Sequence, residues 1–168
     1  VTVTDSTIES NSQIGINANA TGDSSLTVDT SDISNNADGI FTNVTTGTLT
    51  VVDATVDDHD GTGIEVENAS ATSAINVSVI EDNGVGLAVN ASNVDPTVLG
   101  NAFANDNTDI STTNDAGARL NASRNFFNDS AGPRGVNAAG VDSDVVFDPF
   151  LTTDQSDSSV SDVQTTAE

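Results

Sequence analysis

The stretch Leu26-Thr27-Val28-Asp29-Thr30-Ser31-Asp32-Ile33-Ser34-Asn35-Asn36-Ala37-Asp38-Gly39-Ile40 holds three short apolar segments separated by polar turns. Alternation in Leu26-Thr27-Val28 has period two, as in a strand with one buried face, and no segment is long enough for a helix. The same text returns along the chain. Gly15-Ile16, Gly39-Ile40, Gly63-Ile64 and Gly86-Leu87 follow one another at steps of 24, 24 and 23, and Asp109-Ile110 continues the series at 23. Ahead of these pairs stand Ile8, Ile33, Val56, Ile80 and Phe103. Earlier still come Val1-Thr2-Val3, Leu26-Thr27-Val28, Leu49-Thr50-Val51, Ile75-Asn76-Val77 and the looser Val98-Leu99-Gly100.

One such unit cannot bury its own apolar residues, whereas stacking like on like buries them in a narrow central column. The pattern predicts an all-β fold, a right-handed parallel β-helix of about five to six coils with roughly 22–26 residues each. A β-sandwich of short strands would not require equivalent residues to recur at this period. Ile8, Ile33, Val56, Ile80 and Phe103 are expected to form one inward stack. Ile16, Ile40, Ile64, Leu87 and Ile110 are expected to form a second.

The turns carry a register of their own. Asn11, Asn36, His59, Asn83 and Asp106 lie three residues past the second strand position, and stacked amides there would form a hydrogen-bonded ladder. The glycine before each Ile or Leu is expected to serve a positive φ, with Asp109 as a tolerable replacement. Coils are expected over residues 1–124. A C-terminal cap is expected over 125–152, where four of the six Phe fall, and an acidic disordered tail or linker over 153–168.

Composition agrees with this architecture. Val, Ile and Thr make up 51 of 168 residues, while Lys and Met are absent. The charge is extreme: 21 Asp and 5 Glu face three Arg, for a formal net charge of -23. No basic patch exists to neutralise phosphates, so nucleic acid is excluded as a partner, as are anionic membrane surfaces. No apolar run is long enough for a membrane span, so no direct insertion is expected. Without cysteine there is neither a disulfide framework nor a thiolate metal site. The opening Val1-Thr2-Val3-Thr4 lacks the basic and apolar regions of a leader, so any targeting signal is expected to have been removed.

The coils, followed by Asn125-Phe126-Phe127-Asn128, Gly132-Pro133 and Phe147-Asp148-Pro149-Phe150-Leu151, resemble right-handed β-helix repeat proteins of the pectate-lyase-like and NosD-type superfamily. The terminal segment is similar to one common in bacterial and archaeal surface proteins, with Phe where that segment usually has Tyr or Trp. The resemblance covers about residues 1–152 and implies fold far more than activity. The acidic, Lys-free composition is similar to that of proteins from extreme halophiles and points to a haloarchaeal source.

Chemistry is sparse. Asp57-Asp58-His59-Asp60 contains the one histidine, and its register assigns His59 to the turn ladder rather than to a metal or acid/base site. Asn107-Thr108-Asp109 resembles one polygalacturonase motif, but the companion motifs are missing. Arg119, Arg124 and Arg134 are expected to pair with local Asp at the rod end. No catalytic residue, metal or cofactor is expected. Of the Asn-x-Ser/Thr sequons, those at Asn19, Asn43, Asn68 and Asn90 fall at one place in the repeat and would line one edge of the rod as glycosylation candidates. The expected role is a non-catalytic extracellular segment of a larger acidic surface or secreted protein: a stalk, spacer or face that binds polysaccharide or other cell-surface components. The competing reading is a carbohydrate-active enzyme, a polysaccharide lyase or glycoside hydrolase, with divergent catalytic coils or with those coils elsewhere in a longer chain.

Overall fold

The computed structural model describes residues 1–20, 22–68, 73–90, 96–113, 120–128, 132–133, 140–141, 145–147, 150–151 and 163–164. Alternating Val, Ile, Leu and Thr place each apolar segment in a strand, and every coil contributes one strand to each of three five-stranded parallel sheets. The first sheet holds Thr2–Thr4, Leu26–Asp29, Leu49–Val52, Ala74–Asn76 and Thr97–Leu99. The second holds Thr7–Glu9, Asp32–Ser34, Thr55–Asp57, Val79–Glu81 and Ala102–Ala104. The third holds Ile14–Ala20, Asp38–Val44, Thr62–Asn68, Val85–Val89 and Thr108–Thr112. The chain is a parallel β-solenoid whose five full coils run over residues 2–20, 26–44, 49–68, 74–89 and 97–112.

Both predicted stacks are present in register. Ile8 pairs with Ile33, then Val56, Ile80 and Phe103. Ile16 pairs with Ile40, then Ile64, Leu87 and Ile110. From Ile33 and Ile40 onward these side chains are almost wholly buried. Burial of a large aliphatic side chain contributes about 1.5–3 kcal/mol, so the column supplies the main term favouring the fold. The first sheet adds a third stack: Val3, Val28, Val51, Ile75 and Val98.

Sharp corners separate the sheets. At the first corner one residue per coil has a left-handed backbone: Asp5, Thr30, Asp53, Val77, Gly100 and Arg124, with φ from 48° to 71°. At the second corner Ser10, Asn35, Asp58 and Asp82 do the same, with φ from 51° to 61°. Asp and Asn tolerate that region because their short polar side chains hydrogen-bond locally.

The glycines before the third-sheet Ile or Leu have a different reason from the one expected. None of Gly15, Gly39, Gly63 and Gly86 has a positive φ. Each is pressed by the turn side chain of the following coil. A Cβ on Gly39 would lie 2.6 Å from His59 Nε2, and one on Gly86 would lie 2.3 Å from Asn105 Nδ2. Close approach, not backbone conformation, selects glycine here.

Beyond coil five the stacking continues. Phe126 bridges Ala102, and Phe127 stacks beneath Phe103 with ring centroids 5.6 Å apart. Val141 bridges Ile110, and Leu120–Asn121 pairs in parallel with Val145–Val146. Phe150–Leu151 pairs antiparallel with Val163–Gln164. Residues 152–162 and 165–168 of the expected tail, and Asp148 and Pro149 of the expected cap, lie outside the described residues.

Candidate functional site

The second corner is built around the ladder. Asn11 donates from its backbone N–H and its Nδ2 to Asn36 Oδ1 at 2.9 and 2.8 Å. The Asn36 N–H donates to His59 Nδ1 at 3.0 Å, and the His59 N–H donates to Asn83 Oδ1 at 3.3 Å. Asn83 in turn donates from N–H and Nδ2 to Asn105 Oδ1 at 3.4 and 2.9 Å. Asn105, not Asp106, is the fifth rung, and Asp106 is exposed. Coils one to four place a left-handed residue between strand and rung, and coil five omits it, so the rung comes one residue sooner.

Below Asn105 the ladder ends on a carboxylate. Asp109 occupies the glycine position of coil five, is fully buried, and accepts from the Asn105 N–H and Nδ2 through Oδ1. Its Oδ2 accepts from the Gly140 N–H at 3.3 Å. Asp109 is therefore committed to fold, although it belongs to the segment that resembles a hydrolase motif.

A second ladder, absent from the sequence reading, runs along the first corner. Ser6 N–H donates to Ser31 Oγ, Ala54 N–H to Ser78 Oγ, Ser78 N–H to Asn101 Oδ1, and Asn101 N–H and Nδ2 to Asn125 Oδ1. The signal was available: Ser6, Ser31, Ala54, Ser78, Asn101 and Asn125 each stand two residues before the second-sheet stack position.

His59 is 2% exposed. With Nδ1 accepting from Asn36, the neutral ring carries its proton on Nε2, which is buried and unpartnered. Asp57, next to it in sequence, also has a buried, unpartnered Oδ1. Burial raises the Asp57 pKa, and Asp32, Asp58 and Asp82 raise it further, against a lowering by His59. Among the described residues no group of three or more His, Cys, Asp or Glu is arranged to hold a metal ion.

Surface relief is concentrated on the third sheet and its corner. Asn17, Phe41, Glu65, Ala88 and Ser111 form one outward column in register. Phe41 is half-buried there, between Asn17 and Glu65. Burial raises the Glu65 pKa, as do Glu67 and Asp38, while a hydrogen bond from Asn90 Nδ2 at 2.9 Å opposes the rise. Beside Asn17 opens a cleft of about 510 Å³ lined by Ser12, Gln13, Ile14, Asn17, Ala37 and Asp38. The sequence signal for the column was the residue following each stacked Ile or Leu.

The sequon asparagines lie on the same face. Asn19 pairs with Asn43, and Asn43 with Asn68 across a bulge. Asn90 ends coil four, its N–H donating to Val66 O. Asn19 and Asn90 are exposed and Asn43 is half-buried; the Asn68 side chain lies outside the described residues. Of the three arginines, Arg119 and Arg134 also lie outside, and Arg124 is exposed at the first corner.

Stacked sheets, paired inward columns and two side-chain ladders define a β-helical repeat protein. The sequence model described as right-handed beta helix region matches residues 1–103, and the chain belongs to that family. No curated protein and no solved structure matches it.

Proposed function

We propose that the chain is a non-catalytic extracellular segment of a larger acidic surface or secreted protein, a spacer whose third-sheet face engages neutral carbohydrate. The observation that carries this reading is Phe41, the half-buried aromatic of the outward column, between Asn17 and Glu65 and beside the polar cleft. An aromatic face stacks on sugar C–H groups, and neighbouring amides and carboxylates bond hydroxyls. A net charge of -23 repels uronate polymers, so neutral chains are favoured. Retention on a panel of neutral and uronate polysaccharides at molar salt tests the reading. Neutral polymers should be held without cleavage, and Phe41→Ala should release them. Cleavage of any polymer would favour the carbohydrate-active enzyme instead.

Asn19, Asn43, Asn68 and Asn90 are the proposed glycan edge. Neighbouring coils are only about 4.8 Å apart, too close for a glycan on every rung. Alternate occupancy, led by exposed Asn19, is the expected pattern in peptides from native material. Unmodified asparagine at all four positions would remove this part of the proposal.

A further inference from the structure

The two ends of the solenoid differ in hydrogen-bonding chemistry. In both ladders the rung of one coil donates downward and the rung of the next accepts. At the lower end of the second-corner ladder, Asp109 consumes the last donors. At the upper end the acceptors are unspent. Asn11 donates to Asn36, leaving its Oδ1 in the position where Asn36, Asn83 and Asn105 each accept from the coil above. Ser6 Oγ donates to Thr4 O just as Ser31 Oγ donates to Asp29 O and Ser78 Oγ to Asn76 O, and those two also accept an N–H from above.

Apolar residues repeat the message. Val3, Ile8 and Ile16 are only half-buried, whereas their partners Val28, Ile33 and Ile40 are at most 1% exposed. The edge is also unguarded. The strand Ile14–Ala20 carries no charge, and residues 1–20 contain only Asp5 and Glu9 of the chain's 26 acids. Proteins protect exposed sheet edges with charges, Pro or bulges, and none of these interrupts Ile14–Ala20.

We infer that the face formed by coil one is a docking surface for a further parallel β-coil of the same repeat. The occupant must place apolar residues over Val3, Ile8 and Ile16. It must also direct backbone N–H groups at Ser6 Oγ and Asn11 Oδ1, with a glycine over the Asn11 side chain. A second copy meeting this face head to head would run antiparallel and could not match both acceptors in the register used lower down. The inference does not depend on the carbohydrate reading.

The test extends the chain by its own repeat. A copy of residues 26–48 placed directly ahead of Val1 puts Val1 in the register of Leu49, because Val1 and Leu49 both align with Leu26. The extended chain should show amide exchange slowed at least tenfold across residues 2–20 and a thermal midpoint higher by several degrees. Ser6→Ala should have little effect on the original chain but should cut the gain in the extended one. An extension that exchanges freely and leaves the midpoint unchanged overturns the inference. So does sedimentation of the original 168-residue chain as a stable dimer with coil one already protected, a measurement that holds even if the extended chain fails to fold.

Discussion

Asp109 and Asn105 are joined by two hydrogen bonds to a single carboxylate oxygen, from the Asn105 backbone N–H and from its Nδ2, both 3.1 Å long. Coils one to four have glycine where Asp109 stands, because each of those positions is filled by the side chain of the next rung. In coil five the residue supplies the next acceptor itself. A carboxylate is suited to the end of the series, since it accepts twice and asks for no acceptor in return.

Replacing Asp109 by Gly therefore strands two buried donors. The expected loss is about 2–4 kcal/mol, while Asp109→Asn, which keeps an acceptor, should cost about half as much. Chemical unfolding of both variants at molar salt measures the difference. Equal losses would show that the charge, not the acceptor, holds this end.

His59→Asn should be neutral or stabilising by about 1 kcal/mol. The imidazole leaves Nε2 buried and unpartnered, whereas Asn36, Asn83 and Asn105 each send Nδ2 to a carbonyl of the coil above: Ile8, Val56 and Ile80. An Asn at position 59 would find the Ile33 carbonyl in the same place. A drop in thermal midpoint would mean that the ring's bulk matters more than its orphaned N–H.

Mild acidification should stabilise the fold. Burial and neighbouring carboxylates raise Asp57 and Glu65 above their ordinary values of 3.8 and 4.5. A raised carboxylate binds its proton more tightly when folded than when unfolded, so its ionised form opposes folding at neutral pH. That opposition fades as pH falls through the raised value. Thermal melts should give a higher midpoint at about pH 5 than at about pH 7. Asp57→Asn should raise the pH 7 midpoint and flatten the slope; an unaltered slope would assign the effect to other groups.

Salt should be needed for folding. With -23 charges on a thin rod, repulsion is long-ranged in dilute buffer, and at molar salt the Debye length shrinks to about 3 Å. Circular dichroism should show a cooperative β fold in concentrated KCl that is lost on dialysis. Equal thermal stability at about 0.05 and 3 M salt would show that surface charge is not limiting.

The inward stacks could be read from the chain because an interior column accepts little except Ile, Val, Leu and Phe, so the period survives every slip of one residue. The rungs were harder. Asn105 was hidden behind Asp106 because coil five drops its left-handed residue, a change that alters spacing without altering composition. Ser31, Ser78 and Asn101 looked like ordinary turn residues, since the same polar types serve both purposes. Glycine carries one signal for two causes, positive φ and close approach, and only the position of the neighbouring His59 or Asn105 side chain separates them. Phe41 and Glu65 share no residue type with Asn17, so their common column depends on strand register, not on pattern.

Contacts in this rod run almost wholly between one coil and the next, and the two ends are held unequally: Asp109 and the Phe103–Phe127 stack at one, bare acceptors at the other. Under tension the molecule should behave as a ratchet with a direction. Drawn out by its termini, it should unwind from Val1 coil by coil, each release adding about 24 residues or roughly 80 Å of chain. Force spectroscopy would record this as evenly spaced steps, whereas a single rupture of the whole rod would mean that the coils yield together.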